Sequence, residues 1–268
     1  MSAGLESVLR RDRWLVAAGL VCVSAVAWAY MAHEAREMSV SGVCCCAGMR
    51  MSGPDVQAWS VTALVPLFLM WAEMMVAMML PSAAPMILVF AMVNRQRRAQ
   101  ELPYVSTAVF AFGYLAIWVG FSALAALGQW VLHGFVLISP MMTMRNSWLA
   151  GALLIGTGIF QWTPLKNACL KHCRSPLSFL LNDWREGRAG ALRMGFRNGL
   201  YCTGCCWLLM ALLFVAGVMN LWWVGLLTLF VLAEKVAPPA WRVGALAGAI
   251  LVLWGILVTA GALPYQAG

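Results

Sequence analysis

Two short segments of the sequence carry cysteine and histidine at the spacing of metal ligands on a helix. Each segment places three such residues at positions i, i+3 and i+4, and residues with this spacing share one face of a helix. The six residues are Cys169, His172, Cys173, Cys202, Cys205 and Cys206. Thiolate and imidazole groups are ligands that suit Cu(I) and Zn²⁺. A single buried cysteine is more often packing material, so the prediction of one metal site rests on two matching triplets joined by one loop.

A glutamate lies inside a long apolar run, with methionines at helical spacing around it. The residues of this pattern are Met70, Glu73, Met74 and Met78. Thioether sulfur is a soft ligand that favours Cu(I), although methionine is also common packing material in apolar helices. Pro81 removes one backbone hydrogen bond and frees the carbonyl near Ala77, one turn beyond Glu73. The pattern therefore predicts a cation site in this helix, with packing as the alternative.

The composition places these residues in a membrane protein. Of the 268 residues, 63% are hydrophobic and only 10% are charged, whereas soluble domains have about 45–50% apolar and about 25% charged residues. This excludes a soluble globular domain, a disordered chain, a collagen and a small disulfide scaffold. The net charge of +8 lies in short clusters between apolar runs, which is typical of membrane loops and not of a nucleic-acid groove.

Seven apolar runs are long enough, or nearly long enough, to cross a bilayer, which needs about 20 residues per helix. They predict an all-α polytopic transmembrane helix bundle, with residues 1–268 as a single integral membrane domain. The predicted spans are 14–32, 58–93 with a proline kink, 104–127, 147–164, 199–218, 220–235 and 241–262. The second run also allows a helix followed by a short re-entrant piece, because it contains Pro81 and Pro85.

The distribution of basic residues predicts the orientation of these spans. With the N-terminus in the cytoplasm, 15 of the 18 Lys and Arg residues lie inside and three lie outside, as the positive-inside rule requires. Both cysteine triplets then lie near the reducing cytoplasm, where clustered cysteines indicate metal binding or redox activity rather than structural disulfides. Cys202 and Cys205 also form a CxxC pattern, which is found in thiol–disulfide enzymes.

The loops and the span ends add smaller predictions. Ser175 and Pro176 indicate the start of a short helix on the inner membrane surface. Glu234 and Lys235, at the end of the sixth span, are interpreted as an interfacial ion pair of small energetic value. The outer loop after the first span carries further groups that bind soft metals: His33, Met38, Cys44, Cys45, Cys46, Met49 and Met51.

At these motifs the chain resembles a bacterial family of predicted metal-binding integral membrane proteins, a domain of unknown function. The resemblance covers about residues 60–240. The matching pieces are Ala77–Met86, Thr163–Lys166, Cys169, Cys173, Arg174–Pro176, Gly199–Trp207 and Gly217–Asn220. The resemblance implies a multi-pass protein of the bacterial inner membrane whose cysteine-rich motifs bind metal.

The leading hypothesis is a membrane protein that binds or conveys a soft transition metal, copper(I) first and zinc second. Outer groups would capture the ion, the site around Glu73 would hold it within the membrane, and the inner cysteines and histidine would accept or release it. Partners would then be the lipid bilayer and a periplasmic metal carrier or other membrane subunits, with no nucleic acid. A membrane thiol–disulfide oxidoreductase and an assembly subunit of a larger membrane complex are the alternatives. The sequence contains no nucleophile triad, phosphate-binding loop or paired catalytic carboxylates.

Overall fold

The fold is all-α, as the sequence predicts. The computed structural model describes residues 3–41, 64–134, 144, 146–218 and 220–262, and these residues contain no β-strand. The helices in chain order are α1 (Ala3–Ser41), α2 (Leu64–Ala99), α3 (Thr107–Gly134), α4 (Ser147–Phe160), α5 (Pro164–Arg174), α6 (Pro176–Asp183), α7 (Gly187–Ala211), α8 (Leu213–Ala216), α9 (Leu221–Val236) and α10 (Val243–Thr259).

Each of the seven predicted spans overlaps a helix, although α7 begins twelve residues before the predicted span 199–218. Four segments are long and apolar enough to cross a membrane by length and composition, namely Val16–Arg36, Leu64–Ala99, Thr107–Gly134 and Gly187–Ala216. The helices Ser147–Phe160 and Val243–Thr259 are shorter and also apolar. The second predicted run is one continuous helix, α2, with Pro81 and Pro85 inside it, so the alternative with a separate re-entrant piece is wrong.

Helix α2 lies at the centre of the bundle. It packs against α1, α3, α6 and α9, while α3 packs closely on α7 and α4 packs closely on α10. Its buried face is rich in methionine, and Met75, Met78 and Met79 have no exposed surface. Methionine fills irregular gaps between helices because its side chain is unbranched and flexible.

Glycines allow the two closest helix pairs to approach. Any side chain at Gly113 of α3 or Gly195 of α7 would meet backbone atoms of the facing helix, and the same holds for Gly158 and Gly248 between α4 and α10. Small residues at such crossings let helix backbones come into direct contact. Helices α3 and α7 both carry groups of the candidate site, so their contact helps to position these groups.

The short helix that the sequence predicts after Ser175 is present as α6. Pro176 is its first residue, although the preceding Ser175 makes no capping hydrogen bond through its side chain. Phe179 and Leu180 are buried, whereas Leu177 and Leu181 are exposed. The helix therefore packs one face on α2 and leaves an apolar face uncovered.

Candidate metal centre

A cavity of about 220 Å³ lies where α2, α3, α5, α7 and α9 meet. It contains soft donor atoms from three different helices, namely the thioether of Met86 and the thiols of Cys173 and Cys202. Its other polar side chains are Ser82, Tyr114, Arg174, Asn198 and Lys235. Soft sulfur ligands of this kind favour Cu(I).

Cys202 is the most closely surrounded sulfur of this cavity. The Lys235 ammonium group donates a hydrogen bond to the Cys202 Sγ at 3.1 Å, and the Tyr114 hydroxyl lies 3.1 Å from the same atom. Lys235 also donates to the Ser82 hydroxyl at 2.8 Å. A cation beside a thiolate offsets its negative charge, so Lys235 lies where it would stabilise a thiolate at Cys202.

The hydroxyl groups of the cavity are anchored to the backbone of α2. The Ser82 hydroxyl donates to the Met79 carbonyl at 2.9 Å, and the Tyr114 hydroxyl donates to the same carbonyl at 3.2 Å. Ser82 lies between the two prolines of α2, where the helix lacks two backbone donors. These bonds fix the two hydroxyls in position beside Lys235 and Cys202.

The other two cysteines of α7 are buried beside Cys202 and do not line the cavity. The Cys205 thiol donates to the Cys202 carbonyl at 3.1 Å, and the Cys206 thiol donates to the same carbonyl at 2.9 Å. Both thiols are therefore used in bonds to the backbone of their own helix. The shared helix face that the spacing predicts is present, but only Cys202 reaches the cavity.

The first triplet is divided in a similar way. Cys173 lines the cavity, whereas Cys169 faces α7, where its Sγ would lie 2.8 Å from a Cβ atom added at Gly204. Burial, followed by the charge of Cys205, raises the pKa of the Cys169 thiol. Cys169 is thus favoured as a neutral thiol in the contact between α5 and α7.

His172 lies on the exposed side of α5. Its ring stacks on Tyr201, with ring centres 4.1 Å apart, and its Nδ1 lies 2.9 Å from the Ala168 carbonyl oxygen. The structure therefore does not bring His172 to the cavity, and within the described ranges no three His, Cys, Asp or Glu side chains form a preassembled metal cluster.

The predicted site around Glu73 is a row of groups along α2. Met74 and Met78 are buried, while Met70 and Glu73 are partly exposed. The Glu73 Oε1 atom is buried without a hydrogen-bond partner among the described residues. The carbonyl of Ala77 accepts a hydrogen bond from Trp28 Nε1 at 3.1 Å, so the prediction that it is left free for a cation is wrong.

The adjacent residues Glu234 and Lys235 do not pair with each other. Glu234 accepts two hydrogen bonds of 2.7 Å from Lys166, and both side chains are almost completely buried. Gln161 also accepts a bond from Lys166, and Arg174 donates to the Glu234 carbonyl at 2.6 Å. The predicted interfacial pair is wrong because successive side chains of a helix diverge, which leaves Lys235 free to face Cys202.

Sequence reasoning overlooked Lys235, Tyr114 and Ser82 as parts of the site. The position of Lys235 at the end of an apolar helix is a sequence signal for a functional cation, since a buried cation needs a partner. The outer groups predicted between residues 38 and 51 lie outside the described side chains. His33 lies on an exposed part of α1.

A family model described as a copper chaperone, PpoB2, matches residues 68–258, which is well over half of the chain. The chain belongs to this copper chaperone family. The metal-related family that the resemblance implied is thereby confirmed, and copper binding or handling is supported at this level. The zinc alternative has no such support. No match is found among the curated proteins or the solved structures.

Proposed function

We propose that this protein is a membrane-embedded copper chaperone that holds one Cu(I) ion in the cavity between α2, α5, α7 and α9. The Cys173 and Cys202 thiolates would be the main ligands, with the Met86 thioether as a third. The observation that carries the proposal is the meeting of these three sulfur side chains at one cavity in a chain of the copper chaperone family.

The charges around the cavity support this assignment. One Cu(I) ion and two thiolates carry a net charge of −1, and an isolated charge is costly to bury. The Lys235 ammonium group, 3.1 Å from the Cys202 sulfur, would compensate this charge, and Arg174 adds a second cation to the cavity lining. The copper–thiolate anion would thus be held beside positive charge, and movement of Lys235 would provide a way to weaken the site.

The methionines of α2 extend the proposal toward the other end of the bundle. Met74 and Met78 are buried on α2 between Glu73 and the cavity that contains Met86. Thioethers bind Cu(I) without needing to lose a proton, so a row of them provides weak, successive sites. We propose that Cu(I) passes between Glu73 and the cysteine cavity along this row, with Met70 beside Glu73 at its outer end.

The proposed setting is the bacterial inner membrane, crossed by seven helices with the N-terminus in the cytoplasm. The long apolar helices and the excess of basic residues on one side support it. A periplasmic copper carrier or a neighbouring membrane subunit would exchange the ion with the outer groups. Reporter tags in the loops after α1 and α4 would test this arrangement, since they should be accessible from opposite sides of the membrane.

The decisive test is copper stoichiometry in a cavity double variant. The reduced, detergent-purified protein is loaded with Cu(I), desalted, and analysed by elemental mass spectrometry as wild type and as Cys173→Ser/Cys202→Ser. The wild type should retain one copper per chain and the double variant close to none. Cys22→Ser is the matched control, because Cys22 is an exposed cysteine of α1 and its loss should leave the copper content unchanged.

Retention of full copper content by the double variant would overturn the cavity assignment. Protein purified without reductant separates the redox alternative, because thiol trapping then reports whether Cys202 and Cys205 form a reversible disulfide. A copper chaperone should show free thiols that copper protects from alkylation. A reversible disulfide with no copper-dependent protection would favour the oxidoreductase.

A further inference from the structure

A second cavity, of about 210 Å³, lies where the end of α2 and the start of α3 meet α1. It is separate from the copper cavity and is lined by different residues. Its polar lining residues are Asn94, Arg95, Arg98, Tyr104, Ser106 and Thr107. None of the lining residues that the structure describes is acidic, so the cavity combines two guanidinium groups with hydroxyl and amide groups.

Arg95 lines this cavity, and one of its hydrogen-bond donors lacks an acceptor. Its Nη1 atom is buried and has no hydrogen-bond partner among the described residues. A buried donor without an acceptor lowers stability, and the penalty is larger for a charged group. The guanidinium group therefore provides a specific reason for an anionic ligand to occupy the cavity.

The second guanidinium group and the cavity wall are held in place by other contacts. Arg98 lies over the Tyr104 ring, with its Cζ atom 4.9 Å from the ring centre. Asn94 donates to the Val105 carbonyl and accepts from the Val105 amide at 3.2 Å. This two-way bond fixes the connection before α3, so that Ser106 and Thr107 face the same space as the arginines.

We infer that this cavity binds a phosphate group, carried either by the headgroup of an anionic lipid or by a small soluble phosphate. Arginine is well suited to phosphate because its planar guanidinium group donates two parallel hydrogen bonds. The hydroxyl groups of Ser106 and Thr107 would supply further donors. The inference does not depend on the copper site, since no residue lines both cavities.

The test is native mass spectrometry of the full-length protein in detergent, with two sets of probes. One set is phosphatidylglycerol, with phosphatidylcholine as the zwitterionic comparison, and the other is inorganic phosphate. The variant is Arg95→Gln/Arg98→Gln. The control is Arg97→Gln, which removes one positive charge from the same helix turn, at a residue that is paired with Glu186 and packed on Trp184.

Binding of phosphatidylglycerol that falls at least about tenfold in the double variant and is retained in the control would support a lipid headgroup as the ligand. The same pattern with inorganic phosphate would support a soluble ligand. Equal losses in the double variant and the Arg97 control would overturn the inference, because binding would then reflect general surface charge. If the double variant does not fold, Arg98→Gln serves instead, since Arg98 is exposed; unchanged binding by Arg98→Gln would overturn the inference as well.

Discussion

At the scale of single residues, the charge of Lys235 is the feature that most sharply distinguishes this cavity from ordinary apolar packing. Replacing it with glutamine keeps a donor near Ser82 but removes the positive charge beside Cys202. We expect Lys235→Gln to weaken Cu(I) binding by about 10- to 100-fold, because opposite charges a few ångströms apart attract by about 4 kcal/mol near a protein surface and part of this is screened. Competition with a chromogenic Cu(I) chelator measures the change.

Two further variants test whether charge is the cause. Lys235→Arg retains the cation and should bind copper within a few-fold of wild type. Lys171→Gln removes an equal charge from an exposed position of α5 that does not line the cavity, and it should have no effect. Equal affinities for wild type and Lys235→Gln would show that Lys235 does not compensate the copper–thiolate charge.

At the scale of helices, the buried pair of Lys166 and Glu234 ties the start of α5 to the end of α9. Removing one partner leaves a buried charge unpaired, which destabilises a protein by about 3–5 kcal/mol. Glu234→Leu should therefore lower the thermal unfolding temperature strongly, and Lys166→Leu/Glu234→Leu should recover most of the loss. Circular dichroism of the detergent-purified proteins measures both temperatures. A double variant as unstable as the single one would mean that the pair itself, and not the orphaned charge, holds the helices.

The helices that carry the candidate site are predicted in part from the sequence. The helical spacing of the two triplets correctly predicts that each shares a face of a helix, and Pro176 begins the short helix that the sequence predicts there. The start of α5 at Pro164 is not predicted, because the predicted fourth span runs to residue 164. The spacing does not say how far each face turns toward its neighbour. Cys205 and Cys206 bond to the backbone and His172 stacks on Tyr201, outcomes that depend on packing between helices. Because of this packing, only one cysteine of each triplet, Cys173 and Cys202, lines the candidate cavity. Metal binding by the other residues of the two triplets stays a prediction.

At the scale of the whole molecule, the site is a product of how the bundle closes. Its groups come from five helices, and two of them, α3 and α7, are in contact through glycine. The all-α fold and the position of each apolar helix follow from composition and run length. Composition and run length do not predict which helices are neighbours, because apolar helices of similar length have similar compositions. Glycine indicates where a helix can make a close contact, but a GxxxG pattern such as Gly244 and Gly248 does not predict which helix is the partner.

This dependence gives a prediction about Gly113. A methyl group there would clash with the Leu192 carbonyl and lie 3.2 Å from the Gly195 Cα, so Gly113→Ala should force α3 away from α7. Overpacking of this kind costs about 1–3 kcal/mol. The adjacent residue, Tyr114, contacts Cys202, and copper affinity should therefore fall together with the unfolding temperature.

Gly120→Ala is the matched comparison on the same helix, because an added Cβ there meets nothing within 4 Å. It should be as stable as wild type or slightly more stable, since alanine is the better helix former by about 1 kcal/mol. Thermal unfolding and copper titration of the two variants show whether the copper affinity depends on close packing of α3 on α7. If Gly113→Ala loses stability but keeps its copper affinity, the cavity tolerates displacement of α3 and the Tyr114 contact is dispensable. If both fall, and Gly120→Ala loses neither, the copper site is built by the closure of the bundle as a whole.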